Sequence, residues 1–342
     1  FFKQKTAYEM LRSLVGSEMC IRDSAGGESS NSVIDSVKVL PAKNGIYFVG
    51  CSNITIINSE VNGSLGGVTG MGTGIRLEGV TDSLIKNNEV YNFTFGSWTC
   101  CPLINHATFE NNYFHDNAIG LGIENGWNNS VINNTVDNSK YAISISDSNQ
   151  SYVANNKINL PNPLDQIGIT LNCEGIDKET CLSNTIEENN LINGKPVKEY
   201  KNIYGLTPDL SPYSEVIVVN GTNSVLKNAE LNGLHILYSD NLTINNITSK
   251  GRIAFYLENT NNSDIYSNRF CAWQLAKSYY NKIFNNLFNR TAYIAVDNLP
   301  NYWNTTKQTG DRIYSYGYEI GGNYWTNPDS NGYSDTCTDS DR

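Results

Sequence analysis

Short apolar runs alternate with small and polar residues along most of this chain. The stretch 118–138 (AIGLGIENGWNNSVINNTVDN) holds one such run, a polar corner and then two shorter runs. The flanking stretches 74–93 (GIRLEGVTDSLIKNNEVYNF) and 141–160 (YAISISDSNQSYVANNKINL) repeat this pattern. Alternation over about four to six residues, interrupted by Asn, Asp, Ser and Gly, is typical of short, half-buried strands. The pattern therefore predicts strands joined by tight corners.

The polar corners recur at a nearly fixed spacing. Corners of the form NNxΦ, in which Φ is apolar, begin at Asn87, Asn111, Asn133 and Asn155, at intervals of 24, 22 and 22 residues. Such a period indicates a solenoid, whose coils bury their apolar side chains by stacking on each other. Leucine-rich repeats share this period, but they need a dense leucine pattern and usually one helix per repeat. We therefore predict an all-β, right-handed parallel β-helix of about ten coils.

The chain contains 50 Asn among its 342 residues, and the corners explain why. Asn tolerates the left-handed backbone conformation that a sharp corner requires better than most residues other than Gly. Its amide can also bond the equivalent Asn one coil away, at a spacing of about 4.8 Å. An Asn-rich disordered tract is the alternative, but apolar residues recur in register throughout. We expect ladders of Asn side chains along the stack.

The alternation also predicts which side chains point into the core. In the central coils, the inward-facing set is Ile119, Leu121, Ile123, Val131, Val136, Ile143, Ile145 and Val153.

The first 24 residues lack the coil pattern. KQKTAYEM (3–10) and SLVGSEMCIRDS (13–24) resemble in-frame translations of oligonucleotides used to prepare sequencing libraries. We therefore expect residues 1–24 to be a foreign segment that does not pack on the stack, with the native start and any export signal missing. An amphipathic leader is the alternative. The segment holds no apolar run long enough to span a membrane.

The remainder divides into a solenoid and a tail. Coils are predicted over 25–300, with a loop at 96–105 and an arm or hairpin off the stack at 193–216, which holds three of the nine prolines. Residues 301–342 are expected to form a C-terminal cap and an Asp-rich tail that is cut short.

Charge excludes one class of partner. Without its first 24 residues the chain carries 20 Lys and Arg against 31 Asp and Glu, a net charge of −11. This sign is wrong for a phosphate-binding surface, so we expect no nucleic-acid partner. An acidic surface rich in Asn and Tyr suits an extracellular protein that meets neutral sugars or divalent cations.

Two cysteines flank one short loop. Cys173 and Cys181 are expected to form a disulfide, which favours an oxidising compartment. The sequence leaves open the pairing of Cys51, Cys100, Cys101 and Cys271, and buried thiols are the alternative.

The coils, the insert NGKPVKEYKN (193–202) and the tail YWNTTK…GGNYW…PDSNGYSDTCTDSD (302–341) resemble NosD-type β-helix proteins. These belong to a wider group of carbohydrate-binding and sugar-hydrolase β-helices with pectate-lyase-like architecture, and similar chains are common on archaeal cell surfaces. The resemblance implies a secreted or surface location, and the family name suggests periplasmic copper delivery. The three histidines show no ligand spacing, whereas copper sites need clustered His, Cys or Met.

Candidate binding residues lie around the central coils. Trp98 and Trp127 are expected beside turns, where aromatic faces could contact sugar rings. Asp116 and Asp137 are expected near equivalent corners, with Glu124 nearby, and glycoside hydrolysis uses a pair of carboxylates. His115 is a further candidate on this face. The motifs of known β-helix polysaccharide enzymes are missing, however. We therefore favour a non-catalytic protein that binds glycans or neighbouring surface proteins; the alternatives are a polysaccharide lyase or hydrolase, and an accessory protein for copper-site maturation.

The tail suggests a calcium loop. Oxygen-bearing side chains at alternating positions around a Gly are what such a loop requires, and an acidic solvated linker is the alternative. The candidate ligands are Asp329, Asn331, Asp335, Asp339 and Asp341.

Overall fold

The computed structural model describes residues 21–22, 30–63, 72–100, 104–251, 255–289, 294–296, 299–314 and 316–337. The chain is a solenoid of about 11 turns, built almost entirely of short parallel strands. The predicted parallel β-helix is confirmed.

In the first stack, formed by the described residues between 21 and 192, each turn crosses three sheets in chain order. The first sheet contains Ile21–Arg22, Asn44–Val49, Thr73–Glu78, Phe95–Cys100, Ile119–Glu124, Tyr141–Ser146 and Ile167–Asn172. The second sheet contains Val33–Asp35, Thr55–Ile57, Leu84–Lys86, Thr108–Glu110, Ser130–Ile132, Tyr152–Ala154 and Thr185–Ile186. The third sheet begins with Lys38–Ala42, Glu60–Gly63, Glu89–Tyr91, Tyr113–His115, Thr135–Asp137, Lys157–Asn159 and Leu191–Ile192.

In the second stack each turn crosses two sheets. The third sheet continues through Lys195–Lys201, Glu215–Val219, Gly233–Leu237, Phe255–Glu258, Trp273–Ala276 and Ile294–Val296. The fourth sheet contains Val225–Leu231, Thr243–Ser249, Asp264–Tyr266, Arg269–Phe270, Lys282–Phe284, Leu287–Phe288 and Tyr324–Trp325. The remaining elements are the paired strands Ile104–Asn105 and Gly126–Trp127, the paired strands Gln308–Thr309 and Glu319–Ile320, the 3₁₀ turn Pro163–Asp165, and the helices Lys178–Ser183 and Tyr333–Thr336. In the described part of the chain, neither helix is long and apolar enough to cross a membrane.

The core follows the predicted alternation with one exception. Seven of the eight side chains expected inside are buried, but Ile119 is only partly covered. In its strand the two consecutive residues Gly120 and Leu121 are both buried. The alternation therefore slips by one position, and Ile119 lies on the outer face of the first sheet.

The corner between the second and third sheets contains two consecutive Asn residues with different structural roles. The first, at the predicted corner positions, adopts the left-handed conformation with φ between 55° and 57°. The second is buried, and its amide nitrogen donates to the amide oxygen of the next one along the stack, over 2.8–3.1 Å. This ladder consists of Asn88, Asn112, Asn134, Asn156 and Asn190. The predicted ladder therefore exists, one residue after the strained corner.

A tight turn separates the two stacks. Asn193 and Gly194 both have positive φ, +48° and +80°, and the strand that follows pairs antiparallel with Leu191–Ile192. Residues 193–216 were expected to leave the stack, but Lys195–Lys201 is a strand of the third sheet. Val197 in this strand is buried in the core of the first stack, a role that the neighbouring prolines concealed.

Beyond the turn, the third sheet is covered on both faces. In the strand Glu215–Val219 every residue is buried. Ile217 and Val219 belong to the core of the first stack, whereas Val216 and Val218 belong to the core of the second stack. One sheet therefore joins the two cores.

Buried carboxylates cover the edge where the first sheet ends. Glu215 accepts hydrogen bonds from the backbone N–H groups of Gly168 and Ile169, both 2.8 Å, and from the amide of Asn232, 2.7 Å. Glu258 accepts one from the backbone N–H of Cys173, 3.0 Å. These oxygens replace the carbonyl groups that another coil would have supplied, so the edge is satisfied inside the protein.

The ends of the chain differ partly from expectation. Most of residues 1–24 lie outside the described residues, but Ile21–Arg22 pair in parallel with Ile46 and Tyr47, so these two residues do extend the first sheet. Near the other end, Trp325 stacks on Phe288 of the second core, with ring centroids 4.3 Å apart.

The disulfide prediction is confirmed. Cys173 and Cys181 are bonded, with Cα atoms 5.7 Å apart, and tie the helix Lys178–Ser183 to the end of the first sheet.

The Asn ladder predicts unequal effects at two adjacent residues. Asn134 is fully buried, and Asn134→Ala would orphan the N–H groups of Asn112 and the carbonyl of Phe109. We expect a loss of about 2–5 kcal/mol in the free energy of unfolding. The matched control Asn133→Gly keeps the left-handed corner and should change it by less than about 1 kcal/mol. Urea denaturation measures both, and equal effects would contradict the division of tasks.

The edge carboxylate predicts a pH dependence. Burial raises the pKa of Glu215, and its hydrogen bonds act in the opposite direction. A raised folded-state pKa gives stability that is greatest below the ordinary value of 4.5 and is lost as pH rises through the raised value. The stability of wild type relative to Glu215→Gln should therefore be greatest below pH 4.5 and fall progressively as pH rises above it, measured by urea unfolding. Exposed Glu179→Gln is the control; a difference that is flat with pH would refute this.

Candidate functional site

A groove lies on the outer face of the first sheet. Stacking in register aligns Arg76, Trp98, Gly122 and Ser144 on neighbouring strands. Because Gly122 has no side chain, the outer surface of the sheet is recessed at this position, beside the indole of Trp98. The resulting cavity of about 210 Å³, which we call the first-sheet groove, is lined by Phe95, Trp98, Ile119, Gly122, Ile123, Glu124, Ser144 and Ser146.

One wall of the first-sheet groove is aromatic and apolar. The rings of Phe95 and Trp98 pack edge to face, and Ile119 continues this wall one coil further. The sequence predicted a loop here, but Phe95–Cys100 is a strand. A Cβ on Gly96 would lie 2.5 Å from the carbonyl oxygen of Gly120. This Gly therefore serves close backbone approach within a sheet and does not signal a loop.

The opposite wall is polar. Glu124, Ser144 and Ser146 line it, and within the described part of the chain no side-chain hydrogen bond or ion pair is made by these three residues. Their oxygens are therefore available to a ligand.

A polar cluster lies next to the groove along the same face. Arg76 donates to Glu78 from Nε, 2.7 Å, and from Nη2, and its guanidinium lies 5.2 Å from the ring centroid of Tyr47. The Tyr47 hydroxyl also donates to Glu78. Burial, followed by this hydrogen bond, raises the pKa of Tyr47. The positive charge of Arg76 is thus held by a neighbouring carboxylate.

The predicted residue His115 lies on the third sheet in a closed arrangement. Its Nδ1 is 2.7 Å from Asp116 and its Nε2 is 3.2 Å from Glu89. Its ring is stacked near Tyr91 and Tyr113, with centroids 4.6 and 4.5 Å away. Both ring nitrogens and both faces are therefore occupied by this cluster.

The two predicted carboxylates are also engaged. Asp137 accepts from the hydroxyl of Tyr113, 2.9 Å, and Asp116 accepts from the amide of Asn138, 2.7 Å. Hydrogen bonds from His115 and Asn138 lower the pKa of Asp116. Burial and the contact with Asp137 raise the pKa of Tyr113 to about 12. These contacts link successive coils.

Trp127 lies on another corner. It belongs to the short strand Gly126–Trp127, its Nε1 donates to Gln150 over 3.1 Å, and its ring is 5.0 Å from that of His106. Trp127 is 41% exposed but does not line the first-sheet groove. The structure therefore brings together His115, Asp116 and Asp137, but neither Trp98 nor Trp127 joins them.

The described residues do not fit a copper site. They contain no group of three or more His, Cys, Asp or Glu placed to hold a metal ion. His106 contacts Asp82 at 3.1 Å, and His235 is buried in the strand Gly233–Leu237 of the third sheet. Cys101 and Met71 lie outside the described residues.

In the tail, the predicted calcium ligand Asp335 is engaged in hydrogen bonds within the protein. It accepts from the hydroxyl of Tyr324, 2.6 Å, and from the backbone N–H of Gly332, 2.8 Å, at the start of the last helix. Asp329 and Asn331 are exposed, whereas Asp339 and Asp341 lie outside the described residues. Calcium binding stays a prediction.

Sequence reasoning missed most of the groove. It singled out Trp98 and named Glu124 as a carboxylate near Asp116 and Asp137, but it placed Ile119 in the core. Phe95, Gly122 and the two serines were not considered as binding residues. The available signal was the coil spacing itself, since Trp98, Gly122 and Ser144 are separated by one repeat each.

Comparisons with known proteins give one family match. The family described as "Periplasmic copper-binding protein (NosD)" matches residues 14–208 and 212–330. A search of the curated proteins found no significant match.

Two solved structures, both from Azotobacter vinelandii, are similar at low identity. The mannuronan C-5 epimerase AlgE6 A-module is 14% identical, with a TM-score of 0.38, covering 79% of this chain and 80% of that one. The AlgE4 A-module is 13% identical, with a TM-score of 0.38, covering 79% and 78%.

The His115 contact predicts a small, pH-dependent contribution to stability. Since the pKa of Asp116 is lowered, its contribution is present above the ordinary value of 3.8 and is lost as pH falls through the folded-state pKa. Asp116→Asn keeps the left-handed corner and should cost at most about 1 kcal/mol near neutral pH, because the carboxylate is exposed to solvent screening. In urea unfolding the difference should shrink as pH falls below 3.8 and vanish once Asp116 is protonated in the folded state. A difference that persists after this protonation would contradict the prediction, and the exposed Asp329→Asn, away from any His, is the control.

Proposed function

The chain belongs to the NosD family, and on that premise we propose that it is a periplasmic or extracellular β-helix protein that binds glycans through the first-sheet groove without transforming them. The family description names the periplasm. The Cys173–Cys181 disulfide supports this location because disulfides persist in oxidising compartments.

The observation that carries the proposal is the pairing of two unlike walls in one groove. Sugar rings present an apolar face of C–H groups and a rim of hydroxyls. The indole of Trp98 and the ring of Phe95 suit the apolar face. Glu124, Ser144 and Ser146 on the opposite wall suit the hydroxyl rim. The groove thus offers both kinds of contact to one sugar unit.

The size of the groove indicates how much of a glycan it could hold. Pockets for complete small ligands usually measure about 300–1,000 Å³, whereas this cavity measures about 210 Å³. It therefore suits one sugar unit of a longer chain, with the rest of the glycan lying along the solenoid.

Binding is favoured over hydrolysis by the state of the carboxylates. Glycoside hydrolysis requires two carboxyl groups that flank the bond to be cleaved. Among the described residues, Glu124 is the carboxylate that lines the groove, and nearby Glu78 is held by Arg76 and Tyr47. On the third sheet, Asp116 and Asp137 are engaged with other side chains. A lyase or hydrolase remains the alternative that the experiment tests.

Copper delivery, the other alternative, is not part of this proposal. The family description names copper binding, but the histidines of the described residues are already engaged or buried, and no step is assigned to the metal.

Calorimetry with a glycan selected on an array tests the proposal. Trp98→Ala should weaken binding at least about tenfold, close to 1.4 kcal/mol, because it removes the stacking surface. Gly122→Leu should abolish binding by filling the groove. A Cβ at Gly122 would meet its nearest atoms at 3.6 Å, so this variant is expected to fold. Trp127→Ala, an exposed Trp outside the groove, is the matched control.

Three results would contradict the proposal. Unchanged affinity in Trp98→Ala and Gly122→Leu would move any glycan site elsewhere. No binding to any glycan would leave a protein partner on the cell surface. Release of new sugar ends from the bound polymer would make the protein an enzyme. Thermal unfolding of each variant shows whether a loss of binding reflects a loss of fold.

A further inference from the structure

We infer that the first-sheet groove selects neutral glycans over glycans that carry carboxylates, with Glu124 as the residue that determines this specificity. The inference rests on the proposed function and names its ligand class. It follows from the charged groups around the groove, where, among the described residues, a negative charge is unpaired and the nearby positive charge is already paired.

The negative charge at the groove is uncompensated. Glu124 lines the cavity, and its carboxylate has no ion-pair partner within the described ranges. A cation does lie nearby, since Arg76 is in register with Trp98. However, Arg76 donates through both Nε and Nη2 to Glu78, whose side chain is only 16% exposed. Its charge is therefore balanced before any ligand arrives.

Hydrogen-bond chemistry favours the same ligand. An ionised carboxylate only accepts hydrogen bonds, and the hydroxyls of a neutral sugar can donate to Glu124. The hydroxyls of Ser144 and Ser146 can either donate or accept. A uronate carboxylate beside Glu124 would bring together two groups that only accept hydrogen bonds and that carry the same negative charge. Their repulsion costs more free energy where water is partly excluded.

The charge of the whole chain acts in the same direction at longer range. The net charge is −10, and a field of this sign slows the approach of a polyanion. This effect is weakened by salt, whereas the contact at Glu124 is weakened much less.

The test compares one neutral polysaccharide with a uronate polysaccharide of similar length and linkage, by calorimetry at about 0.05 and 0.5 M salt. We expect wild type to bind the neutral polymer at least about tenfold more tightly. Glu124→Gln should narrow this ratio several-fold by improving uronate binding. The control Glu179→Gln makes the same change in net charge at an exposed position and should leave the ratio of the two affinities unchanged. EDTA in a parallel series removes divalent cations that could bridge two carboxylates.

The outcomes separate the two claims. If the uronate binds as tightly as the neutral polymer, and Trp98→Ala weakens both, the inference is wrong while the groove remains a glycan site. An unchanged ratio in Glu124→Gln would also overturn the inference, because selectivity would then not depend on that residue. If neither polymer binds, the proposed function fails as well.

Discussion

The interaction on which the first stack depends is the hydrogen bond that each buried Asn side chain of the ladder makes to the equivalent Asn one coil away. At the corner between the second and third sheets, the amide oxygen of a residue such as Asn134 accepts from the backbone and side chain of the rung before it. Its amide nitrogen donates to a carbonyl of a neighbouring coil and to the next rung. Only a side chain with both a donor and an acceptor can repeat this arrangement indefinitely. Asp in the same positions would stack like charges a strand spacing apart.

This constraint explains how the stack can stop and restart. A coil that stacks on its neighbours leaves an unpaired edge wherever the series ends, and such edges invite aggregation. Here the third sheet continues past the Asn193–Gly194 turn and carries Glu215 and Glu258 to the last strand of the first sheet. Burying carboxylates is costly, but backbone N–H groups are the donors that the edge has to satisfy. The same sheet then supplies one face to a second core.

The groove shows where such a fold is free to acquire specificity. Inward positions and corner positions are bound by packing and by the ladders. Side chains at outward positions of the first sheet take part in neither the core nor the ladders. The residues there, such as Trp98, Gly122 and Glu124, can therefore differ from coil to coil without destabilising the solenoid. The His115 cluster shows the other use of the outer surface, in which side chains bond one another and brace successive coils. Family membership is consistent with either use of the outer surface. The described residues contain no group of side chains placed to bind copper.

The sequence by itself determined the repeat, and therefore the parallel β-helix. Alternating apolar residues and Asn corners at about 22-residue spacing have local physical causes, so they can be read from the chain without its partners. The disulfide could be predicted from the sequence for the same reason, because its two cysteines flank one short loop. The tertiary structure decided what depends on register between coils. It placed Ile119 outside, made the Trp98 segment a strand, drew residues 195–201 into the third sheet and assembled the groove from three coils. Which side chains become neighbours across the stack follows from how far each coil shifts against the next, and that shift is set by insertions and glycines whose effect appears only after the coils have packed.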